Sequence, residues 1–496
     1  MKKGAILLAG GVVATGLALA GAGHYVQDQV VPQQMATNLN TTFDNIYATK
    51  GLSEGTTIVK AGDITVTRSG LLTYVAHVPA VTMTMELPDG VTTSVEIAAA
   101  DYTVTVTDKA QAVLNASGLF DQEPVAARMT NVAPVTFAQS FAFPEGANTR
   151  DLSAAVTGTC ASVVNDATIK GTAYEMLINA SDCTLSGNFA NGGLGSLRFE
   201  SGFALNSTAS NDGNNVFADD AKLVLNNFEM AALDSYGRPE LGAKIEKIEL
   251  GLAYSGLNMT EALPTRVEDL SLDILPDNLS LSADFTNVAI TSSFPVSIPT
   301  VSFGAGLSLE DIKGDLSKIA VRFGYTVDQF ATMGTIFPPD VPTDSACDVT
   351  VSNVPLKSLS DIAEQAIDGT SGMVSPEGAL ALLQNAGSEL ALKCSSGHTD
   401  LYSASVEANH KAENGGFAGA GTIEARGVVE DAIESMAMVF GRDAYGLGML
   451  FLQFAQPTAD GQGVQLKYQL DQGGNLTVNG QDFGPVVPTM PTTPRP

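Results

Sequence analysis

The sequence predicts a mainly β protein: an antiparallel sheet, elongated or curved, with a few α-helices in an α+β arrangement, preceded by an N-terminal transmembrane or signal helix. Three observations predict this class. Apolar residues alternate with polar ones along much of the chain, helical spacing is confined to short segments, and the chain opens with an uncharged run. Because strands that bury one face alternate in this way, we expect a sheet with one apolar side.

The first thirty residues have the pattern of an export signal. Lys2 and Lys3 precede an uncharged run over residues 4–23, about long enough to cross the hydrocarbon core of a bilayer as a helix. Positive charge stays cytoplasmic, so the rest of the chain is expected outside the cytosol. Two interpretations stand: a signal peptide cut after small residues such as Ala20 or Ala22, and an uncleaved anchor, which we favour because the run is long.

A chain of 496 residues is long enough for two to four domains or one long repetitive β-structure. Changes in pattern divide it into five predicted regions. These are a membrane anchor or signal peptide (1–24), an amphipathic helix and linker (25–55), a β-rich periplasmic region (56–345), an α+β C-terminal region (346–484) and a Pro-rich tail (485–496).

The strongest strand signals are runs in which every second residue is apolar. Early runs cover residues 64–67, 81–85 and 102–106, and two short strands are expected between Cys160 and Cys183. Residues 115–150 have little periodicity and are interpreted as including a connection across the structure. Four further sets each share one face: Ile248, Leu250, Leu252 and Tyr254; Leu270, Leu272 and Ile274; Leu279, Leu281, Ala283 and Phe285; and Val464, Leu466, Tyr468 and Leu470.

Helical spacing occurs near the N-terminus, where Pro32 is expected to kink or restart the helix, and in the last third of the chain. A capping pattern opens a helix at Ser358, and Pro376 opens another that ends at Gly387. A third helical segment starts at Val428 and continues into an apolar stretch expected to pack in a core. Two helices between two strands are therefore expected in the C-terminal region.

The four cysteines form two pairs that are close in sequence, Cys160 with Cys183 and Cys347 with Cys394. An even number in an exported chain indicates disulfides, and four cysteines permit three connectivities. We favour the local pairing. No CxxC spacing is present, so metal or thioredoxin-like chemistry is not expected.

Charge and motifs exclude several classes of function. The 25 basic and 54 acidic residues give a formal charge of -29, which repels nucleic acid and anionic membrane surfaces and favours solubility. The four histidines are dispersed, and the SxxK and phosphate-loop patterns are missing from the sequence. We therefore expect no enzyme activity, no cofactor, no metal and no catalytic residue.

Three stretches carry a resemblance to a known family. They are the opening MKKGAILLAGGVVATGLALAGAGHYVQDQV with the helix after it, the strand GDITVTRSG at residues 62–70, and the closing YQLDQGGNLTVNGQDF. The chain resembles the YdgA-like family of bacterial envelope proteins and related alphaproteobacterial families of unknown function. This resemblance implies a β-rich protein that is periplasmic or tethered to the inner membrane. It extends to AsmA-like proteins, whose elongated, curved sheets present an apolar trough to lipid, and it assigns no functional residues.

These observations lead to an expected role and two alternatives. We expect a non-enzymatic protein at the periplasmic side of a bacterial inner membrane, periplasmic or secreted if the leader is cleaved. Its N-terminal helix would contact the membrane, and an apolar sheet face would bind lipid or another envelope protein. The first alternative is a β-sandwich module for binding or adhesion that recognises protein or glycan. A hydrolase with a carboxylate-rich cleft is the second.

Overall fold

A computed structural model gives the architecture. It describes residues 32–33, 35–37, 39–40, 56–70, 72–86, 91–108, 124–142, 152–170, 173–191, 195–211, 216–255, 276–292, 300–328, 342–360, 376–398, 401–413, 416–430 and 451–485. Most of these residues are in strands, and all their strand pairings are antiparallel. The predicted mainly β, antiparallel class is confirmed. The chain divides into two compact units, Met1–Pro276 with Ile290–Val296, and Asp277–Ala289 with Ser297–Pro496.

The first unit contains thirteen strands among its described residues. Eight are short and precede five long ones of 17 to 19 residues. The strands are β1 Thr56–Lys60, β2 Thr65–Gly70, β3 Thr73–Val78, β4 Val81–Glu86, β5 Thr92–Ile97, β6 Ala100–Val106, β7 Val125–Asn131, β8 Val135–Ala142, β9 Leu152–Lys170, β10 Ala173–Asn191, β11 Gly195–Asn211, β12 Val216–Leu233 and β13 Pro239–Ser255.

Strand β9 divides the short strands into two groups. On one edge it pairs with β8 along its first half and with β7 along its second half, while β10 pairs with the other edge. The order β1-β4-β5-β8 continues one group, and β2-β3-β6-β7 continues the other. Asn131 lies at the fork, where its amide donates to the carbonyl of Ala161 (2.9 Å) and its oxygen accepts from the amide of Val163 (2.7 Å). The Asn131 side chain therefore forms hydrogen bonds with the backbone of β9 at the point where β9 stops pairing with β8 and starts pairing with β7.

The two groups enclose a hydrophobic core. Tyr74 and Tyr102 are among its largest fully buried side chains, and both belong to one cluster with residues of β9 and β10. Helical residues 32–33, 35–37 and 39–40 close this core, because Met35 and Leu39 have no exposed surface. The predicted helix near the N-terminus is thus present, and its described part begins at the predicted restart, Pro32.

Strands β9 to β13 form a meander, and aromatic rings lie on glycines of the neighbouring strand in the β8–β9 and β10–β11 pairs. Phe137 is paired with Gly158, and Phe199 with Gly187, and in both pairs the ring occupies the space that a glycine Cβ atom would need. The aromatic ring thereby shields from solvent the backbone that glycine, which has no side chain, leaves exposed. The pairing explains how strands this long tolerate several glycines, which weaken isolated strands.

The second unit contains eleven strands in its described residues. Each of β14 to β19 pairs with the next strand, β22 pairs with β20, β21 and β23, and β23 pairs with β24. The strands are β14 Asn278–Ser292, β15 Thr300–Glu310, β16 Ser317–Asp328, β17 Asp344–Val354, β18 Glu389–His398, β19 Tyr402–Glu413, β20 Gly416–Gly427, β21 Gln456–Pro457, β22 Gly463–Leu470, β23 Asn475–Val478 and β24 Gln481–Pro485.

The helix predicted to open at Ser358 begins earlier, because Leu356 is already helical, whereas the helix from Pro376 to Gly387 lies where the sequence predicts it. Residues 356–360 begin a helix, and a second one, Pro376–Ala386, ends at Gly387, whose φ of 62° is the left-handed conformation that glycine favours. Between β17 and β18 the chain therefore contains the two expected helices. Residues 429–430 and 451–454 are also helical, and Phe451 is buried in a core with residues of β19, β20, β22 and β23, as expected for that apolar stretch.

One prediction about the strands needs correction. The pair around the first two cysteines is not short, because β9 and β10 each run for 19 residues and remain paired well beyond Cys160 and Cys183. The stretch 115–150, whose sequence has little periodicity, contains β7 and β8. The leader, the set at Leu270 to Ile274 and the Pro-rich tail beyond Pro485 lie outside the described residues.

Candidate functional site: the apolar face of the second unit

The strand register of the second unit places its apolar residues on one side. Residues directly opposite each other on neighbouring strands project to the same face, so the pairings from β14 to β18 define an apolar face. Its members are Leu279, Leu281, Ala283, Phe285, Val301, Phe303, Ala305, Leu307, Leu309, Ile319, Val321, Phe323, Tyr325, Val327, Ser345, Cys347, Val349, Val351, Leu390, Leu392, Cys394 and Ser396. No Asp, Glu, Lys or Arg occupies any of these described positions.

Several large side chains of this face are open to solvent. Phe303 is 42% exposed, Phe323 and Val321 are 40% exposed, and Leu390 is 38% exposed. Phe417 of β20 is 41% exposed, and its pairing with Ala412 places it on the same side. Single exposed apolar residues are common on proteins, whereas a contiguous group of them indicates a surface that binds something.

The opposite side of the same strands is polar. It carries cross-strand ion pairs between Lys318 and Glu310 (2.9 Å) and between Lys411 and Glu389 (3.6 Å). Serine, threonine and glycine occupy most of the positions between the charged residues. Since this face is suited to water, the apolar face is the side on which burial against a partner would be favourable.

The part of the sheet nearest the C-terminus is covered. Phe451 packs with Tyr402, Ala425 and Leu466 in a buried cluster. His410 and Tyr468 stack at 5.6 Å between ring centroids, and His410 Nε2 lies 2.7 Å from the Tyr468 hydroxyl. Burial raises the pKa of Tyr468 above its ordinary value, so the phenol stays neutral near neutral pH.

Polarity changes along the strands of the apolar face. We use the term rung for residues that face each other across β16, β17 and β18. Three rungs are apolar, ending with Phe323, Cys347 and Cys394, and the next, the polar rung, consists of Tyr325, Ser345 and Ser396. Both serines are buried, at 6% and 4% exposure. The face thus passes from aliphatic to hydroxyl-bearing side chains within one strand length.

Two ionisable groups lie beside the polar rung. His398 follows it on β18, and its buried Nδ1 atom has no hydrogen-bond partner among the described residues. Asp344 begins β17, and its Oδ1 atom lies 3.5 Å from where a Cβ atom on Gly397 would be. Partial burial raises the pKa of Asp344, with nearby His398 acting in the opposite direction, and burial together with Asp344 raises the pKa of Tyr325. The register places Asp344 on the polar side of the sheet, whereas Tyr325 and His398 lie on the side of the apolar face.

Two disulfides join cysteines that face each other on adjacent strands. Cys160 is bonded to Cys183 across β9 and β10, and Cys347 to Cys394 across β17 and β18. All four are at most 6% exposed. This is the local pairing among the three connectivities, and the second bond forms part of the last apolar rung.

The first unit also carries apolar side chains in register on its long strands. Phe189 stacks on Phe199 at 6.0 Å and Phe199 on Phe228 at 5.9 Å between ring centroids, forming a row across β10, β11 and β12. Ile248 and Tyr254 of β13 are buried, whereas Leu250 is 38% exposed. The residues predicted to share a face on β13 do so, because they alternate along one strand.

No group of three or more His, Cys, Asp or Glu within the described ranges is arranged to hold a metal ion. None of the helices in the described part of the chain combines the length and apolar character needed to span a membrane. No protein-family model matches the chain, and comparison with curated proteins finds no match.

Proposed function

We propose that this protein is a non-enzymatic component of the bacterial cell envelope that binds lipid on the apolar face of its second unit. In this proposal the N-terminal run anchors the chain in the inner membrane and the sheet faces the periplasm. The observation that carries the proposal is the contiguous apolar face without charged side chains, in which Phe303, Phe323 and Leu390 remain between 38% and 42% exposed.

Physical chemistry favours an acyl chain as the occupant. Removing apolar surface from water is favourable and does not depend on the direction of the contact. A long acyl chain can therefore lie in the grooves between the exposed side chains of the sheet. A charged ligand would find no counter-ion at the described positions of this face, while the net charge of -29 opposes anionic partners. Two buried disulfides also agree with an oxidising compartment.

Charge placed on the apolar face is expected to remove the bound lipid. We expect Leu390→Asp or Phe323→Asp to lower the lipid that co-purifies with the full chain by at least about tenfold, because a carboxylate facing hydrocarbon is costly. The measurement is lipid per protein by mass spectrometry after extraction. Ser395→Asp is the matched control, since Ser395 is an exposed residue of the same strand on the polar side. Equal loss in Leu390→Asp and Ser395→Asp, or no loss in either apolar-face variant, would contradict the proposal.

The first unit supports a second candidate. Its short strands enclose a core containing Tyr74 and Tyr102 rather than an open face, which is the arrangement expected of a module that recognises protein or glycan through its loops. Retention of an envelope protein or glycan by a variant that has lost lipid would support this role.

A further inference from the structure

We propose that a hollow in the apolar face of the second unit binds the uncharged ring of a prenylated quinone. This inference rests on the proposed lipid binding and adds the chemical class of the ligand. It starts from the register of β14 to β16, which places Ala283 and Ala305 directly opposite each other, with Phe323 beside them. We call the space over the two small side chains the alanine hollow.

Aromatic side chains border the alanine hollow on two sides. Along the strands, Phe285 and Phe303 lie two residues from the alanines, and their rings stack at 4.4 Å between centroids. Across the strands, Phe323 is the direct partner of Ala305. Because Phe303 is 42% exposed and Phe323 is 40% exposed, both rings keep surface that another ring can contact.

A hydroxyl group lies next to these rings. Tyr325 is the direct partner of Phe303 and lies two residues from Phe323, so it projects to the same face. Its hydroxyl forms no hydrogen bond with another residue that the structure describes. Burial, with a smaller effect of Asp344, raises the pKa of Tyr325. The phenol therefore keeps its proton near neutral pH and can donate a hydrogen bond.

The absence of charge on this face excludes charged head groups from the alanine hollow. No Asp, Glu, Lys or Arg occupies the described positions of the apolar face, and the register places Asp344 on the polar side. A phosphate or ammonium group over the hollow would lose its water without gaining a counter-ion, which is costly. The head group that fits this position is therefore uncharged.

A quinone ring meets these requirements. It is planar, so it can stack on Phe303 or Phe323 as aromatic side chains stack on each other. Its carbonyl oxygens accept hydrogen bonds without carrying charge, and the Tyr325 hydroxyl supplies a donor.

The side chains beyond the alanine hollow suit a prenyl tail. On the side away from Phe303, the same face of β14 to β16 carries only aliphatic residues, namely Leu279, Leu281, Leu307, Leu309, Ile319 and Val321. A prenyl chain is apolar, so its contact with these residues is as favourable as that of an acyl chain. The ring and the tail thus match the order of side chains along the strands.

Competition between two ligands that share one tail tests the inference. Delipidated full-length protein is incubated with phosphatidylcholine vesicles that contain equal amounts of farnesol and of ubiquinone with three isoprenoid units. Farnesol has the same tail without the ring. Bound ligand is identified by mass spectrometry. We expect the quinone to be enriched about tenfold over farnesol, because only the quinone adds ring stacking and a carbonyl that accepts from Tyr325.

Conservative variants separate the ring contacts from general apolar binding. Phe303→Leu and Phe323→Leu keep an apolar side chain but remove a ring, and each should reduce the enrichment about threefold or more. Tyr325→Phe keeps the ring and removes the hydroxyl, and it should reduce the enrichment about threefold. Phe417→Leu is the matched control, since Phe417 is 41% exposed on the same side of the sheet but belongs to β20. This control should keep the enrichment of the wild type.

The outcomes distinguish this inference from the proposed function. Equal uptake of quinone and farnesol by the wild type would overturn the quinone site while leaving lipid binding in place. Unchanged enrichment in both Phe303→Leu and Phe323→Leu, or an equal loss in Phe417→Leu, would overturn it as well. Failure of the wild type to take up quinone, farnesol or phospholipid would overturn the proposed function itself.

Discussion

Loss of the disulfide between Cys347 and Cys394 is expected to lower the free energy of unfolding by about 4 kcal/mol. The bond spans a sequence separation of 47 residues, and closing a loop of this length removes about that much conformational freedom from the unfolded chain. Both sulfur atoms also belong to the last apolar rung, where serine would leave buried hydroxyls. The variant with Cys347→Ser and Cys394→Ser tests this by chemical denaturation under oxidising conditions.

The other disulfide provides the comparison. Cys160 and Cys183 are separated by 23 residues, so Cys160→Ser with Cys183→Ser is expected to cost about 3 kcal/mol, less than the longer loop. If both double variants unfold at the wild-type denaturant concentration, the bonds do not constrain the chain as the structure shows.

Truncation of Tyr102 is expected to be comparably severe. Its side chain is 1% exposed and packs in the core that the two groups of short strands enclose. Tyr102→Ala should lower the free energy of unfolding by about 3–5 kcal/mol, as for other large aromatic side chains replaced in cores. Tyr102→Phe keeps the ring and should cost far less. A small effect of Tyr102→Ala in denaturation experiments would show that this core is not closed.

The hydroxyl of Tyr102 adds a pH dependence. Burial raises the pKa of this phenol above its ordinary value of about 10. Below a pH of about 10 the phenol is neutral in both the folded and the unfolded chain, so the full contribution of Tyr102 to stability is present. Above it the unfolded chain ionises first, and stability falls as pH rises toward the folded pKa. Tyr102→Phe should therefore flatten the alkaline limb of the stability profile, measured by denaturation from pH 8 to pH 11.

The sequence predicts local structure well where one strand or helix contains the whole signal. The alternation at Leu279 to Phe285 and at Ile248 to Tyr254 places each set on one face, as the structure shows. Pro376 and Gly387 similarly mark the two ends of a helix. These signals depend only on the periods of strands and helices, which a single sequence displays.

Features that depend on pairing between distant segments could not be predicted in this way. The Gly-rich strands β10 and β11 are long because rings such as Phe199 cover glycines of the neighbouring strand, and no local pattern reveals that partner. The fork at β9 requires a side chain, Asn131, from a stretch that has little periodicity. The polar rung is likewise invisible in sequence, since Tyr325, Ser345 and Ser396 meet only through the register of three strands.

Site-specific photo-crosslinking tests the central claim most directly. A photoreactive amino acid replaces Val321, which is 40% exposed on the apolar face, or its neighbour Arg322 on the polar side, and lipid adducts are counted by mass spectrometry after irradiation of cells. We expect lipid adducts at position 321 and few at position 322. Equal labelling at the two positions, or adducts at position 321 that contain only protein, would contradict it.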